Sequence, residues 1–139
     1  MRKINFALIG LGGRGGIYAR FIRYYNRELT AVCDINPDKE FQAKELGAKE
    51  FFTSEDEFFK EKRAEVLVVS TLDTQHYGHA IKALELGYDL LLEKPIAITM
   101  EQCEAIEKKA KEKGAKVLVC HVLRYSPFYG EIKRLLERG

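Results

Sequence analysis

Ile4-Asn5-Phe6-Ala7-Leu8-Ile9-Gly10-Leu11-Gly12-Gly13-Arg14-Gly15-Gly16-Ile17-Tyr18 stands near the start of the chain and decides how the rest is read. Residues 4–9 form an apolar run closed by glycine and too short for a helix, so they read as a buried strand. Residues 10–16 read as a loop. Ile17, Tyr18, Phe21, Ile22 and Tyr25 then recur at helical spacing as far as Asn26. A strand that turns through glycines into a helix is the first half of a strand-helix-strand unit.

The alternation continues to the end of the sequence. Residues 29–33 are a second apolar run, ended by Asp34-Ile35-Asn36-Pro37, where Asn36 suits a helix cap and Pro37 the first position of a helix reaching Leu46-Gly47. Residues 49–52 read as a third strand. Ser54 with Glu57 makes a capping box for a short helix carrying Phe58 and Phe59 toward the core. A fourth strand is expected over 66–69, a helix over 74–86 with Gly87 past its end, and a fifth strand over 89–92. Thr99 and Gln102 make another capping box for a helix with Cys103, Ile106 and Ala110 on one stripe, stopping at Gly114. Residues 117–120 give a sixth strand, and Ser126-Pro127 starts a last helix with Phe128, Ile132, Leu135 and Leu136 inward. The expected fold is α/β: a Rossmann-type, doubly wound parallel sheet of about six strands with helices on both faces. No linker, repeat or low-complexity stretch divides residues 1–139, which read as one domain.

Composition agrees with this reading. A chain of 139 residues with 46% hydrophobic and 32% charged residues is that of a folded globular domain, not a disordered or fibrous one. The formal charge of +2, without a basic tail, argues against a nucleic-acid partner. Lys108, Lys109, Lys111 and Lys113 close a helix opened by Glu101 and Glu104, which complements the helix dipole and reads as a solvated face. No apolar run approaches a membrane span and no signal peptide is visible, so a cytoplasmic location without membrane partners is expected. Cys33, Cys103 and Cys120 lack CxxC spacing and read as reduced, buried thiols.

The chemistry concentrates where loops follow strands. Gly10, Gly12, Gly13, Arg14 and Gly15 belong to a G-x-G-x-x-G pattern placed after a strand and opening a helix. The first glycine permits the tight turn, the second lets a pyrophosphate approach the backbone, and the third allows close helix-strand packing. Asp34, nineteen residues past Gly15 at the end of the second strand, suits an adenosine ribose. Its charge would repel a 2′-phosphate, which favours NAD over NADP, although Lys39 lies nearby in sequence. Arg14 reads equally as a pyrophosphate contact or as an exposed arginine at a helix start. Glu93-Lys94-Pro95 directly follows the fifth strand, where open α/β sheets bind their ligands. A lysine there suits donation to a ribose or substrate hydroxyl, and the competing reading is a surface ion pair beside a turn. His76, His79 and His121 lack a carboxylate at matching spacing, so no metal site is expected. His76 reads as a groove residue, His79 as a surface residue and His121 as hydrogen-bonded.

Taken in order, Gly10 to Gly15, Asp34, Thr71, His76, Gly87, Glu93-Lys94-Pro95 and Arg124-Tyr125-Ser126-Pro127 resemble the glucose-fructose oxidoreductase, inositol dehydrogenase and MocA family over essentially the whole chain. The resemblance implies that Lys94 is catalytic, touching both nicotinamide ribose and substrate hydroxyl, and that Glu93 helps hold the cofactor. It implies a cis Lys94-Pro95 bond, a cofactor groove lined by Thr71, Leu72 and His76, and Arg124 near the nicotinamide end or a domain junction. Family members often carry proline after the threonine. Leu72-Asp73 stands here instead, which alters the expected loop shape. The family continues into a second α+β domain with most substrate contacts, so the resemblance implies that this domain is absent from these 139 residues. The expected function is the nucleotide-binding domain of an NAD-dependent oxidoreductase acting on a sugar, polyol or related hydroxy compound, in a homo-oligomer. The alternatives are the cofactor domain of an NAD-dependent glycosidase and a non-catalytic NAD-binding module.

Overall fold

The structure, a computed structural model, describes residues 4–139. Six strands form one parallel sheet: β1 (Asn5–Ile9), β2 (Glu28–Cys33), β3 (Glu50–Phe52), β4 (Val66–Val69), β5 (Asp89–Leu92) and β6 (Val117–Val119), in the order β3-β2-β1-β4-β5-β6. The helices are α1 (Gly13–Tyr24), α2 (Lys39–Glu45), α3 (Glu55–Phe58), α4 (His76–Glu85), α5 (Met100–Lys113) and α6 (Pro127–Arg138). This is the doubly wound architecture read from the sequence.

The central strands are apolar on both faces because both faces are covered. Leu8 and Val68 pack with Ala19 and Ile22 of α1, whereas Ala7, Ile9, Leu67 and Val69 pack with Ala80, Ala83 and Leu84 of α4. Complete burial of one such leucine contributes roughly 1.5–3 kcal/mol. Register then positions the chemistry. Ile9 pairs with Cys33 and Val69, and Val69 with Leu92, so the strands end level. Gly10, Asp34, Ser70 and Glu93 therefore stand in one row along the carboxyl edge. The chain reverses direction across the sheet between β1 and β4, where such sheets open a cleft.

Four local readings change. Helix α1 starts at Gly13, inside the stretch read as loop, because Gly15 and Gly16 are buried in its first turn. A Cβ on Gly15 would lie 2.0 Å from the Gly10 carbonyl oxygen, so glycine is what lets helix and strand approach this closely. Asn36 does not cap α2. Its Oδ1 accepts the Asp38 N–H at 2.9 Å in a local turn that delays the helix to Lys39. A 3₁₀ turn, Asp73–Gln75, replaces the first turn expected of α4. Finally, Phe128, Ile132, Leu135 and Leu136 of α6 are exposed rather than inward. Right-handed connections carry α1 and α2 to one face and α4 and α5 to the other, leaving the α1 side thinly covered over β5 and β6. Leu118 of β6 is 60% exposed there.

Both capping boxes form their helix-starting bond: Ser54 Oγ accepts from Glu57 N–H and Thr99 Oγ1 from Gln102 N–H. Cys33 and Cys120 are buried, Cys103 is partly so, and all three are free thiols. Burial, with Asp34 and Glu55 nearby, pushes the Cys33 thiol up to about 12.

Candidate dinucleotide cleft

The fork between β1 and β4 is held open by a glycine that nothing larger can replace. Gly10 has φ +90°, and a Cβ there would lie 2.6 Å from the Ser70 carbonyl oxygen. Ser70 closes the fork below, its hydroxyl donating to the Gly10 carbonyl at 2.8 Å. Above the turn the situation inverts: a Cβ on Gly12 or Gly13 would meet nothing within 4 Å. Space is therefore kept over the backbone where no protein group needs it. Gly12 caps α1 without a side-chain bond, and the first turn carries no acidic residue. Its leading N–H groups have no intrahelical partner and lie at the positive end of the helix dipole, a site suited to an anion.

Asp34 ties the end of β2 to this loop. Its Oδ2 accepts the Leu11 N–H at 2.7 Å and its Oδ1 the Asn36 N–H at 2.9 Å. Lys39 does not face it, because the Lys39 ammonium donates to Gln42 Oε1 at 3.0 Å. A cleft of about 630 Å³ opens beside these groups, bounded by Gly10, Gly12, Asp34, Ile35, Thr71 and Leu72.

Thr71 is oriented from below. Its hydroxyl donates to His79 Nδ1 at 3.0 Å, and His79 Nε2–H donates to Glu55 Oε2 at 2.7 Å, with Lys82 on the other carboxylate oxygen at 3.2 Å. Burial pushes His79 below its ordinary 6.5, outweighing the opposing pull of Glu55. Burial raises Glu55, but hydrogen bonds from His79 and Lys82 more than offset it and hold the carboxyl below 4.5. A neutral imidazole beside an ionised carboxylate satisfies every donor and acceptor in the chain. The surface position read for His79 is thus corrected: the residue is 5% exposed, since its spacing from His76 puts both on the inner side of α4.

His76 is 1% exposed. Its Nδ1–H donates to the Pro95 carbonyl at 2.7 Å, and Nε2 lies 3.2 Å from the Thr71 carbonyl oxygen. It clasps the loops after β4 and β5 together, and the Lys94-Pro95 bond in the second loop is cis. Glu93 is 5% exposed, whereas Lys94 beside it is exposed. A smaller recess of about 120 Å³ lies between Arg14, Thr71, Asp73, His76, Glu93 and Lys94. Arg14 Nε stands 3.9 Å from Glu93 Oε1, with the arginine half exposed. His121 and Arg124 are both exposed, His121 capping and Arg124 within the 3₁₀ turn Val122–Tyr125 that follows β6.

Sequence reading missed Tyr18, Ser70, Glu55 and the inward role of His79. Serine immediately after an apolar strand was a usable signal for Ser70. Tyr18 gave none beyond its place on a helix face. Among the described residues no group of three or more His, Cys, Asp or Glu is disposed to hold a metal ion, and no helix is long and apolar enough to cross a membrane.

A parallel sheet with this strand order, a glycine fork and a carboxylate after β2 defines a dinucleotide-binding α/β domain. The chain belongs to the Gfo/Idh/MocA oxidoreductase family with an NAD-binding Rossmann fold, whose family model matches residues 4–121. It is similar to scyllo-inositol 2-dehydrogenase (NAD(+)) of Bacillus subtilis (strain 168), 28% identical over 99% of this chain and 41% of that protein. It is also similar to 2,7-anhydro-N-acetylneuraminate hydratase of Escherichia coli (strain K12), 28% identical over 98% of this chain and 36% of that protein. Among solved structures, the WlbA dehydrogenase from Bordetella pertussis, in complex with NADH and UDP-GlcNAcA, superposes with a TM-score of 0.86 at 28% identity. That match covers 99% of this chain and 43% of the other. The chain thus spans less than half the length of these relatives.

Proposed function

We propose that this chain is the NAD-binding part of an oxidoreductase that moves hydride between a hydroxyl-bearing carbon of a sugar, polyol or related compound and a nicotinamide cofactor. The observation that carries the reading is the single row on the carboxyl edge, with Asp34 at the wide end of an open cleft and Lys94 at the narrow one. The residues fit NAD: the space over Gly12 and Gly13 admits a pyrophosphate, and the uncapped first turn of α1 supplies its donors. When bound, NAD supplies the hydride acceptor. Asp34 takes the adenosine ribose, because each of its oxygens keeps acceptor capacity after one backbone bond. Thr71 and Leu72 line the cleft, and His76 and Glu93 fix the loops on either side of the recess. Arg14 adds positive charge at its rim. Lys94 is the catalytic residue, its exposed ammonium donating to a ribose or substrate hydroxyl and stabilising negative charge as the hydroxyl proton leaves.

The hydratase relatives favour a second reading, a sugar reaction without net change of redox state on the same cofactor domain. A cytoplasmic location belongs to either reading, supported by three free cysteines.

Calorimetric titration with NAD and NADP tests the assignment. NAD is expected to bind more tightly, and Asp34→Ala to narrow the difference by roughly 1.5–3 kcal/mol for the lost charge-assisted bonds. Loss of the Leu11 anchor weakens both cofactors alike, so the difference between them isolates the ribose contact. Tighter binding of NADP by the unmodified chain overturns the role of Asp34.

A further inference from the structure

Glu93 is a carboxylate taken almost wholly out of water just past the end of β5, and the side chain that hydrogen-bonds it comes from a distant part of the sequence. The Tyr18 hydroxyl donates to Glu93 Oε1 at 2.5 Å, while Glu93 Oε2 accepts the backbone N–H of Lys94 at 3.1 Å. We infer that Tyr18 is a positioning residue for the nicotinamide end of the cleft, holding Glu93 so that Glu93 in turn fixes the Lys94 backbone.

Three features support this assignment. Arg14 and Tyr18 stand four residues apart on α1, hence on one helix face, and both reach Glu93 Oε1, the arginine at 3.9 Å. The helix that presents its amides to the pyrophosphate is therefore tied by side chains to the turn carrying the lysine. Cys120, just past the end of β6, lies close enough to the Tyr18 phenol to help keep it protonated. Burial, with Cys120 and Glu93 alongside, holds the Tyr18 phenol well above its ordinary 10.0, so it remains a donor at any working pH. A buried carboxylate that lost this donor would turn toward water or bind a proton, and either change releases the Lys94 N–H.

The inference rests on the proposed placement of nicotinamide beside Glu93-Lys94-Pro95. The test compares two ligands on the 139-residue chain: NADH, which reaches that recess and reports it by its fluorescence, and ADP-ribose, which lacks the nicotinamide. Tyr18→Phe is expected to weaken NADH roughly tenfold and to change the emission of bound NADH while leaving ADP-ribose affinity nearly unchanged, both measured below the unfolding midpoint, which falls with the loss of the carboxylate's donor. Adding Glu93→Gln to Tyr18→Phe is expected to cost less than Glu93→Gln costs alone, because the two act through one bond. Should Tyr18→Phe lose its cooperative unfolding transition, Tyr18→Leu repeats the comparison without the ring. Unchanged NADH binding by the folded variant, or equal loss of both ligands, overturns the role of Tyr18. Failure of the unmodified chain to bind either ligand overturns the cofactor reading itself.

Discussion

His79 shows how one buried side chain links the cleft to pH. Its folded pKa lies below 6.5, so between that folded value and about 6.5 the unfolded chain carries a proton that the folded chain refuses. Stability from this residue is complete above about 6.5 and is lost as pH falls toward the folded value, by at most about 1.4 kcal/mol per pH unit for one proton. Glu55, held below 4.5, adds stability that is present above that value and disappears only as pH falls further. Thermal melting followed from pH 8 to 5 is expected to show a falling midpoint that begins near neutrality, and His79→Gln is expected to flatten that first slope. A midpoint that does not move over this range would remove the proposed state of His79. What the sequence disclosed at this scale follows from separation along the chain. The place of Asp34 was legible because the end of β2 lies a fixed distance along the chain from the glycine loop. The Tyr18-Glu93 bond spans 75 residues, and no local pattern encodes which helix face meets which strand end.

Elements were legible where the rule that forms them is local. Strands β4 and β5 lie where their apolar runs place them, and α5 begins at its capping box and ends at left-handed Gly114. Helix α1 was misplaced because glycine in a first turn looks like a breaker until the strand packed against it is known. For α6 the periodicity was right and the direction was not, since an apolar stripe turns inward only if something stands opposite. That stripe leaves apolar surface exposed, and so does Leu118 of β6, on the side of the sheet where Phe21 and Tyr25 also stand exposed. We expect a homodimer that covers it. Sedimentation at micromolar concentration is expected to show the dimer, and Leu135→Glu to raise its dissociation constant by at least about tenfold, from a lost leucine burial of roughly 1.5–3 kcal/mol. A monomer throughout that range counts against the surface.

At the scale of the whole molecule, level strand ends and a glycine fork assemble a binding edge, but hydride transfer asks for more than an edge. The substrate carbon must be held close to the nicotinamide, its hydroxyl proton must be accepted, and water must be kept away. Positioning and general-base contributions are each worth several kcal/mol of barrier. Here Lys94 is exposed, and the buried histidine beside it, His76, has both ring nitrogens directed at backbone carbonyls. In the role proposed for it, the lysine alone supplies charge stabilisation without enclosure. The 139-residue chain is therefore expected to bind NAD and to leave it unreduced when polyols or sugars are supplied at high concentration, with absorbance at about 340 nm staying at background. The relatives are more than twice as long, so the informative comparison is the same assay on this chain and on a protein extended to their length. Turnover by the 139-residue chain alone would mean that a base within it accepts the proton, and His121, exposed just after β6, would be the first residue to replace.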